Sequence, residues 1–217
     1  MKIAIVTPSR GLIHSRTVES IMNGMEKLYD LSIECKFLTT HDLPIPDAQN
    51  NCLKRAFEWG AERILSIEED NVLDTDAFMA LATCNEPIAI LQYNDRNGSP
   101  HGIIHKNEQG EILWTGIGAL KVDKEVFDAI GLPYFRTNVR YAIKRKPIEG
   151  GTVITRFEEV STRGEHQYGG LDVDFYTRAR AKGYEVYQVM GHIAHHMKLN
   201  KLGEAYTNNG CHDITTV

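Results

Sequence analysis

Short apolar runs alternate with amphipathic segments through the first half of the chain. Residues 2–6 form an apolar run that predicts a buried strand, and apolar residues at helical spacing over 18–28 predict a helix. The same order recurs as a strand over 32–38, a helix beginning near Asp47 and ending near Gly60, and a strand over 63–67. Strands that alternate with helices favour an α/β fold with a mixed, mostly parallel central sheet flanked by helices.

The second half of the chain predicts more hairpins. Asp74 is placed to cap a short helix, residues 87–93 read as a strand, and 95–100 are dense in turn residues. A hairpin is expected within 103–112, then a strand over 116–120 and a helix over 123–130. Alternation over 139–160 predicts an additional β-hairpin around 136–160, before a helix over 172–182 and a last strand over 185–190. With 217 residues, we expect a single domain over 1–217.

Composition narrows the class of protein. The net charge of -5 argues against bulk attraction to nucleic acid, which depends on many neutralised phosphates. No window approaches the roughly 18 consecutive apolar residues of a membrane helix, and the N-terminus lacks a signal-peptide pattern. The cysteines form no C-x-x-C pair, and we interpret all of them, including Cys211, as reduced. These features predict a cytoplasmic protein.

An acidic cluster follows the strand over 63–67. Glu68, Glu69 and Asp70 stand at the carboxyl end of this strand, where open α/β sheets place their ligand crevice. Glu68 and Asp70 are two residues apart on an extended segment and can present both carboxylates to one hard cation, Mg²⁺ or Mn²⁺. A solvated acidic loop accounts for the local sequence equally well.

Several short segments, taken in their order along the chain, resemble a known family. They are Thr7 to Gly11 after the first strand, Ala48-Gln49-Asn50, residues 64–72, residues 116–135 with a G-x-G strand and a G-x-P-x-F turn, Gly170 to Phe175, and Gly191-His192-Ile193. In this order they resemble the GT-A fold glycosyltransferases, especially small family-2-like members of phages and bacteria. Gln49 replaces the usual arginine, Glu68 the first aspartate of a D-x-D motif, and Leu171 a glutamate.

The resemblance implies a GT-A fold and a metal-dependent glycosyltransferase. Such an enzyme moves a sugar from a nucleoside-diphosphate sugar, with UDP favoured, to an acceptor hydroxyl. The resemblance assigns Glu68 and Asp70 as ligands of a Mn²⁺ or Mg²⁺ ion. A C-terminal histidine is the third ligand, and we favour His192 over His195. His196 best fits a structural or solvated role.

The resemblance also implies roles on the donor and acceptor sides. Asp172 is the candidate base that takes the acceptor's proton and Asp174 is the alternate, although Asp172 would equally serve as a helix N-cap. The candidate donor-binding residues are Pro8, Ser9, Arg10, Asn50, Glu69, Gly116 and Gly118.

The acceptor and the class of activity stay open. Basic residues from Arg136 to Lys146 would suit DNA carrying a hydroxymethylated base, and a solvated hairpin arm is the simpler interpretation. A catalytically inactive GT-A-like module that binds glycan or DNA is the alternative to an enzyme. A nucleotidyltransferase is less favoured, because Thr7 to Gly11 is too short for its glycine-rich phosphate loop. The oligomeric state is not predicted.

Overall fold

A computed structural model describes residues 1–9, 11–41, 43–94, 104–149, 151–160, 167–168, 170–199 and 205–207. Arg10, the predicted turn over 95–100, Gly169 and Cys211 lie outside the described residues. The helices are α1 Ser15–Asp30, α2 Asp47–Glu58, α3 Thr75–Ala82, α4 Lys124–Ile130 and α5 Leu171–Ala181. The strands are β1 Lys2–Pro8, β2 Glu34–Thr40, β3 Arg63–Ile67, β4 Asn71–Val72, β5 Ile88–Tyr93, β6 Ile104–Lys106, β7 Ile112–Thr115, β8 Ala119–Asp123, β9 Arg140–Ile148, β10 Gly151–Val160, β11 Gln167–Tyr168, β12 Tyr187–Leu199 and β13 Ala205–Thr207.

A mixed, mostly parallel sheet forms the centre of the molecule. Within the described residues its strand order is β13-β12-β5-β8-β3-β1-β2, and β4 pairs with β12 beside this path. β1 runs parallel to both β2 and β3, and β5 runs parallel to β12. β8 is inserted antiparallel between β3 and β5. The predicted mixed α/β sheet is confirmed.

Helices cover both faces of this sheet, because its central strands are apolar on both sides. Along β1, Ala4 and Val6 pack into a core with α2, α4 and α5, while Ile3 and Ile5 pack into a second core with α1 and α3. Alternate side chains of a strand point to opposite faces, so one apolar run serves both cores. Among the described residues, no helix is both long enough and apolar enough to cross a membrane.

The predicted hairpin around 136–160 is also present. β9 and β10 pair antiparallel from Gly151 opposite Ile148 to Val160 opposite Arg140. The register shifts once, between Ile154 and Arg156, and β11 adds a third strand against β9. Phe157 anchors the base of the hairpin in the core, where its ring meets the edge of Trp114.

Several local boundaries differ from the sequence predictions. The strand predicted over 116–120 is β8, Ala119–Asp123, and further differences concern α2 and β12. Asp74 does cap α3, accepting a hydrogen bond from the N–H of Ala77 at 2.6 Å. Asp47 does not cap α2: the N-cap position is Pro46, and Asp47 lies in the first turn. β12 also runs far beyond the predicted end at residue 190, because an irregular segment at Gly191, with φ +83°, interrupts the pattern without ending the strand.

Candidate active site

A cleft of about 270 Å³ opens at the carboxyl ends of β1 and β3. This is the edge at which open α/β sheets bind ligands, since loops from adjacent parallel strands converge there. The residues lining it come from both strands, the start of α2, the segment before β8, and β12. They are Pro8, Ile45, Gln49, Ser66, Glu68, Glu69, Asp70, Ile117 and His196.

Glu68, Glu69 and Asp70 form a turn after β3, here called the acidic turn, and its first residue packs directly against Gly118. The Gly118 carbonyl accepts hydrogen bonds from the N–H of Glu68 at 3.0 Å and from Nδ2 of Asn71 at 3.1 Å. A Cβ at Gly118 would lie 2.5 Å from Asn71 Nδ2 and 3.1 Å from Glu68 Oε2. A Cβ at Gly116 would overlap the hydroxyl of Tyr93. Gly118 therefore allows close packing against the acidic turn, and Gly116 allows close packing against Tyr93.

The rest of the acidic turn is held through its carbonyl groups. The Glu69 carbonyl accepts from the N–H of His14 at 2.9 Å, and the Asp70 carbonyl accepts from the N–H of Met197 at 2.6 Å. His14 precedes α1 and Met197 belongs to β12, so distant parts of the chain fix the backbone here. These two bonds fix the backbone of Glu69 and Asp70, and both residues line the cleft.

The histidine beside Asp70 is His196. Its Nε2 atom lies 2.9 Å from Oδ2 of Asp70. β12 pairs antiparallel with β4, with His196 opposite Asn71 and His195 opposite Val72. Because neighbouring residues of a strand point to opposite faces, this register directs His196, and not His195, towards Asp70.

The two histidines predicted as metal ligands lie elsewhere. Nδ1 of His195 is 3.5 Å from Nδ2 of Asn94, on the other side of the strand. His192 lies in the irregular part of β12, where the register with β5 shifts between Val189 and Ile193. At the acidic turn the structure therefore places His196, and neither His192 nor His195. Simple alternation could not locate it, since the irregularity breaks the count of residues along the strand.

Asp172 lies in the first turn of α5 and does not cap it. The N-cap is Gly170, and no side chain makes a capping hydrogen bond there. Burial raises the pKa of Asp172 to about 6. Burial also raises the pKa of Glu68 to about 7, with further contributions from the charges of Asp70 and Asp172. The charge of Asp172 thus acts on Glu68, and the Asp172 carboxylate is not occupied by capping the helix.

Asp174 has a different environment from Asp172. It is fully buried, and its Oδ1 atom accepts from the Tyr141 hydroxyl at 2.6 Å. Nε of Arg136 lies 3.1 Å from both carboxylate oxygens, and Nε of Arg178 lies 3.0 Å from Oδ2. A carboxylate enclosed in this way has no oxygen to offer an acceptor. The prediction of Asp174 as an alternate base is corrected to a structural role that joins α5 to the segment before β9.

The predicted donor loop is partly described. Ser9 is buried, and its hydroxyl donates to the Leu12 carbonyl at 2.9 Å and accepts from the N–H of Gly11 at 3.1 Å. Ser9 therefore shapes the loop after β1, while Pro8 lines the cleft. Arg10 lies outside the described residues.

Asn50 and Gln49 are neighbours in α2, but Asn50 is bonded to the backbone of another segment and Gln49 lines the cleft. Asn50 uses its whole amide on the backbone of Phe135, donating to the carbonyl at 3.0 Å and accepting from the N–H at 3.1 Å. Asn50 therefore links α2 to the segment before β9, and its contact with a nucleoside stays a prediction. Gln49 lines the cleft, and its Oε1 atom is buried with no hydrogen-bond partner among the described residues.

The basic segment from Arg136 to Lys146 is largely paired with acidic residues. Lys144 lies 3.0 Å from Glu158, and Lys146 lies 3.4 Å from Glu108. Arg136 is engaged by the buried Asp174. These pairs reduce the positive field that a phosphate backbone would meet, which favours the simpler interpretation of a solvated arm.

His14 is a site residue that the sequence reasoning missed. It is buried at the N-cap of α1, where its Nδ1 atom accepts from the N–H of Arg16 at 3.2 Å. Burial lowers its pKa, as does the charge of Arg16, while the charge of Asp70 acts in the opposite direction. The sequence could have indicated His14, because it lies in the loop after β1, at the same edge of the sheet where the acidic cluster was expected.

Two side chains in the cleft could coordinate a divalent cation. Among the described residues, no three His, Cys, Asp or Glu side chains are already arranged around one ion position. Asp70 and His196 nevertheless present an oxygen and a nitrogen donor 2.9 Å apart in the cleft. Mg²⁺ commonly takes only one or two carboxylates from the protein and completes its shell with substrate phosphates and water. The residues present therefore fit a divalent ion that binds together with a phosphorylated ligand.

Comparison with known proteins supports the fold. No protein-family model matches the chain, and no curated protein sequence is significantly similar to it. The crystal structure of protein A197 from STIV is 15% identical and aligns with a TM-score of 0.56 over 100% of this chain and 99% of that chain. Drosophila beta-1,4-galactosyltransferase 7, in complex with manganese, UDP-Gal and xylobiose, is 14% identical, with a TM-score of 0.47 over 88% of this chain and 65% of that chain.

A glycosyltransferase involved in the glycosylation of the major capsid of PBCV-1 is a further similar structure. It is 11% identical, with a TM-score of 0.38 over 58% of this chain and 61% of that chain. The similarity to A197 extends over nearly the whole of both chains and concerns the fold. In this chain the fold is a mixed α/β domain with a mostly parallel central sheet.

Proposed function

We propose that this chain is a metal-dependent glycosyltransferase that moves a sugar from a nucleoside-diphosphate sugar, with UDP as the nucleotide, to an acceptor hydroxyl. The observation that supports the proposal is the meeting of Asp70 and His196 in a cleft at the carboxyl ends of β1 and β3. Glu68 lines the same cleft, and Asp172 is near enough for its charge to raise the pKa of Glu68. The cleft thus offers ligands for a cation, with a candidate base within electrostatic reach.

On the donor side, the Asp70 carboxylate and the His196 imidazole would hold a Mn²⁺ or Mg²⁺ ion. When bound, such an ion supplies positive charge that offsets the charge developing on the departing diphosphate. The bonds from Gly118, His14 and Met197 to the acidic turn keep its carboxylates in place before any ligand arrives. A site that needs little rearrangement on binding retains more of its interaction energy as affinity.

On the acceptor side, Asp172 would act as the base. The acceptor oxygen bonds to the anomeric carbon, the bond from that carbon to the diphosphate oxygen breaks, and the acceptor's proton passes to the Asp172 carboxylate. A pKa of about 6 suits this task, since the group is mostly ionised at neutral pH yet binds a proton more tightly than an ordinary aspartate. This assignment corresponds to a reaction that inverts the anomeric configuration.

The donor site is tested by thermal shift with a panel of nucleoside-diphosphate sugars, each with and without Mn²⁺. A ligand that binds only the folded state raises the apparent stability. Wild type should show a Mn²⁺-dependent rise with a UDP-sugar that Asp70→Ala abolishes. The matched control is Asp128→Ala, which removes an exposed carboxylate paired with Lys124 and should respond as wild type does. No rise with any donor would refute the donor site.

The products separate the remaining classes of activity. A glycosyltransferase releases free nucleoside diphosphate from the nucleoside-diphosphate sugar when an acceptor is added. A nucleotidyltransferase releases pyrophosphate when it is given a nucleoside triphosphate and a sugar phosphate, and an inactive binding module releases neither product. The acceptor screen should contain glycans and hydroxymethylated DNA. Because Lys144 and Lys146 are paired with acidic residues, DNA is one outcome of the screen and not part of the proposal.

A further inference from the structure

Gln49 is a buried polar residue that the proposed chemistry does not use. It lies in the first part of α2, its exposed fraction is 5%, and its Oε1 atom has no hydrogen-bond partner among the described residues. Buried polar atoms are almost always paired, because an unpaired one loses its bonds to water without replacement. This side chain also lines the cleft that holds Asp70 and His196.

A structural role for the Gln49 amide is not apparent in its surroundings. The next residue, Asn50, already ties this helix to the Phe135 backbone through both ends of its own amide. Deleting the Oε1 acceptor would break no hydrogen bond with a described residue. Gln49 lines the ligand cleft, and its unpaired amide is instead suited to a donor group brought by the ligand once the amide turns towards the cleft.

The part of the cleft around Gln49 is neutral. Its neighbours in the lining include Pro8, Ile45 and Ser66, whereas the carboxylates come from the turn after β3. Gln49, Pro8 and Ser66 also line a space of about 10 Å³ whose other walls are apolar and which is too small for a ring. A planar heterocycle would therefore lie in the cleft of about 270 Å³, with its polar edge against the Gln49 amide. A carbonyl oxygen has no hydrogen to offer a phosphate.

We propose that Gln49 determines the nucleotide specificity of the cleft by pairing its amide with the imide edge of a uracil-type base. Oε1 accepts the hydrogen bond from the ring N3–H, and Nε2 donates to an adjacent ring carbonyl. This inference rests on the proposed function, since it takes the ligand to be the nucleotide of a UDP-sugar. Gln49 is a binding residue here and takes no part in bond breaking.

The test measures calorimetric binding of UDP and of UDP methylated at N3, in the presence of Mn²⁺. Methylation replaces the hydrogen that Oε1 would accept by a methyl group, which also adds bulk at this edge of the ring. The loss of UDP affinity in Gln49→Met is therefore needed beside it to assign the hydrogen bond. Wild type should bind UDP about tenfold more tightly than the methylated form, the usual worth of one hydrogen bond. Gln49→Met keeps the length of the side chain without its polar atoms, and should bind UDP about tenfold more weakly and no longer distinguish the two ligands.

The melting temperature separates this role from a structural one. Replacing an unpaired buried amide by an apolar side chain of similar size should leave the melting temperature of Gln49→Met unchanged or raise it. Binding of inorganic pyrophosphate with Mn²⁺ should also be unchanged in this variant. Asp70→Ala should instead weaken the binding of both pyrophosphate and UDP.

Each contrary outcome has a distinct meaning. Equal binding of UDP and N3-methylated UDP by wild type overturns the inference whatever the variant does, as does a preference for a purine nucleotide. Asp70-dependent binding of UDP that Gln49→Met leaves intact, or an equal loss of UDP and pyrophosphate binding, overturns it while the transferase proposal stands. If wild type binds no nucleoside diphosphate with Mn²⁺, the proposed function and this inference both fall.

Discussion

The imidazole of His196 meets the carboxylate of Asp70, with 2.9 Å between Nε2 and Oδ2, although 126 positions separate the two residues in the chain, from 70 to 196. The contact exists because β12 reaches across the end of the sheet to pair with the two-residue strand β4. It identifies which C-terminal histidine belongs to the cleft.

His196→Ala should therefore weaken Mn²⁺ binding in the presence of UDP by more than about tenfold, since even indirect partners of a metal site are worth that much. His192→Ala is the matched control and should bind as wild type does. Titration with Mn²⁺, followed by calorimetry, measures both. Equal effects of the two substitutions would contradict the assignment of His196.

Asp172→Asn should lower kcat by about 10²- to 10⁴-fold and leave donor binding unchanged, because the amide keeps the shape of the side chain but cannot take a proton. Initial rates of nucleoside diphosphate release, measured beside donor affinity, separate the two effects. A variant that loses donor affinity in parallel with kcat would place Asp172 on the donor and not on the acceptor.

The rate should fall as the pH drops below about 6. The pKa of Asp172 is raised to about 6 by burial, so its carboxylate is protonated below that value and can no longer accept the acceptor's proton. Above that value it is ionised, and this group no longer limits the rate. A pH profile of kcat in saturating donor checks the direction. A rate that rises as the pH falls would rule out Asp172 as the base.

Asp174→Ala should cost about 3–5 kcal/mol of unfolding free energy, because it leaves the buried parts of Arg136 and Arg178 without their partner. The exposed pair of Lys124 and Asp128 provides a control, and Asp128→Ala should cost no more than about 1 kcal/mol. Urea unfolding measures both. A small cost for Asp174→Ala would show that the network contributes little to stability.

Gly118→Ala should displace the acidic turn and weaken Mn²⁺-dependent donor binding, since its Cβ would lie 2.5 Å from Asn71 Nδ2. Overpacking of this kind typically costs about 1–3 kcal/mol of stability. Gly151→Ala is the control, because a Cβ there meets no atom within 4 Å. Thermal shift with and without donor measures both properties. Unchanged donor binding in Gly118→Ala would mean that the turn tolerates the displacement.

The sequence alone predicted most of the fold, since apolar periodicity reports burial and burial fixes the strands and helices. Asp70 was singled out because it follows a buried strand at the edge where open α/β sheets bind their ligands, and the structure places it in a cleft there. The sequence ranked Asp172 above Asp174 without a physical reason for the order. Only the packed structure shows that Arg136 and Tyr141 enclose Asp174, whereas the charge of Asp172 acts on Glu68.

His196 and Gln49 were out of reach of the sequence for different reasons. The choice among three nearby histidines depends on the pairing register of β12, and an irregularity at Gly191 hides that register from any periodic pattern. The unpaired Oε1 of Gln49 is a property of its whole environment, which no local motif encodes.

The long strand β12 also bears on the order in which the cleft forms. The acidic turn lies in the first third of the chain, but the imidazole beside it and the N–H that fixes the Asp70 carbonyl arrive with residues 196 and 197. During synthesis, α1, β1 and β3 can associate while the cleft still lacks both. Ligand affinity is thus acquired late, and a one-residue slip of β12 would exchange His196 for a neighbour that points away from Asp70.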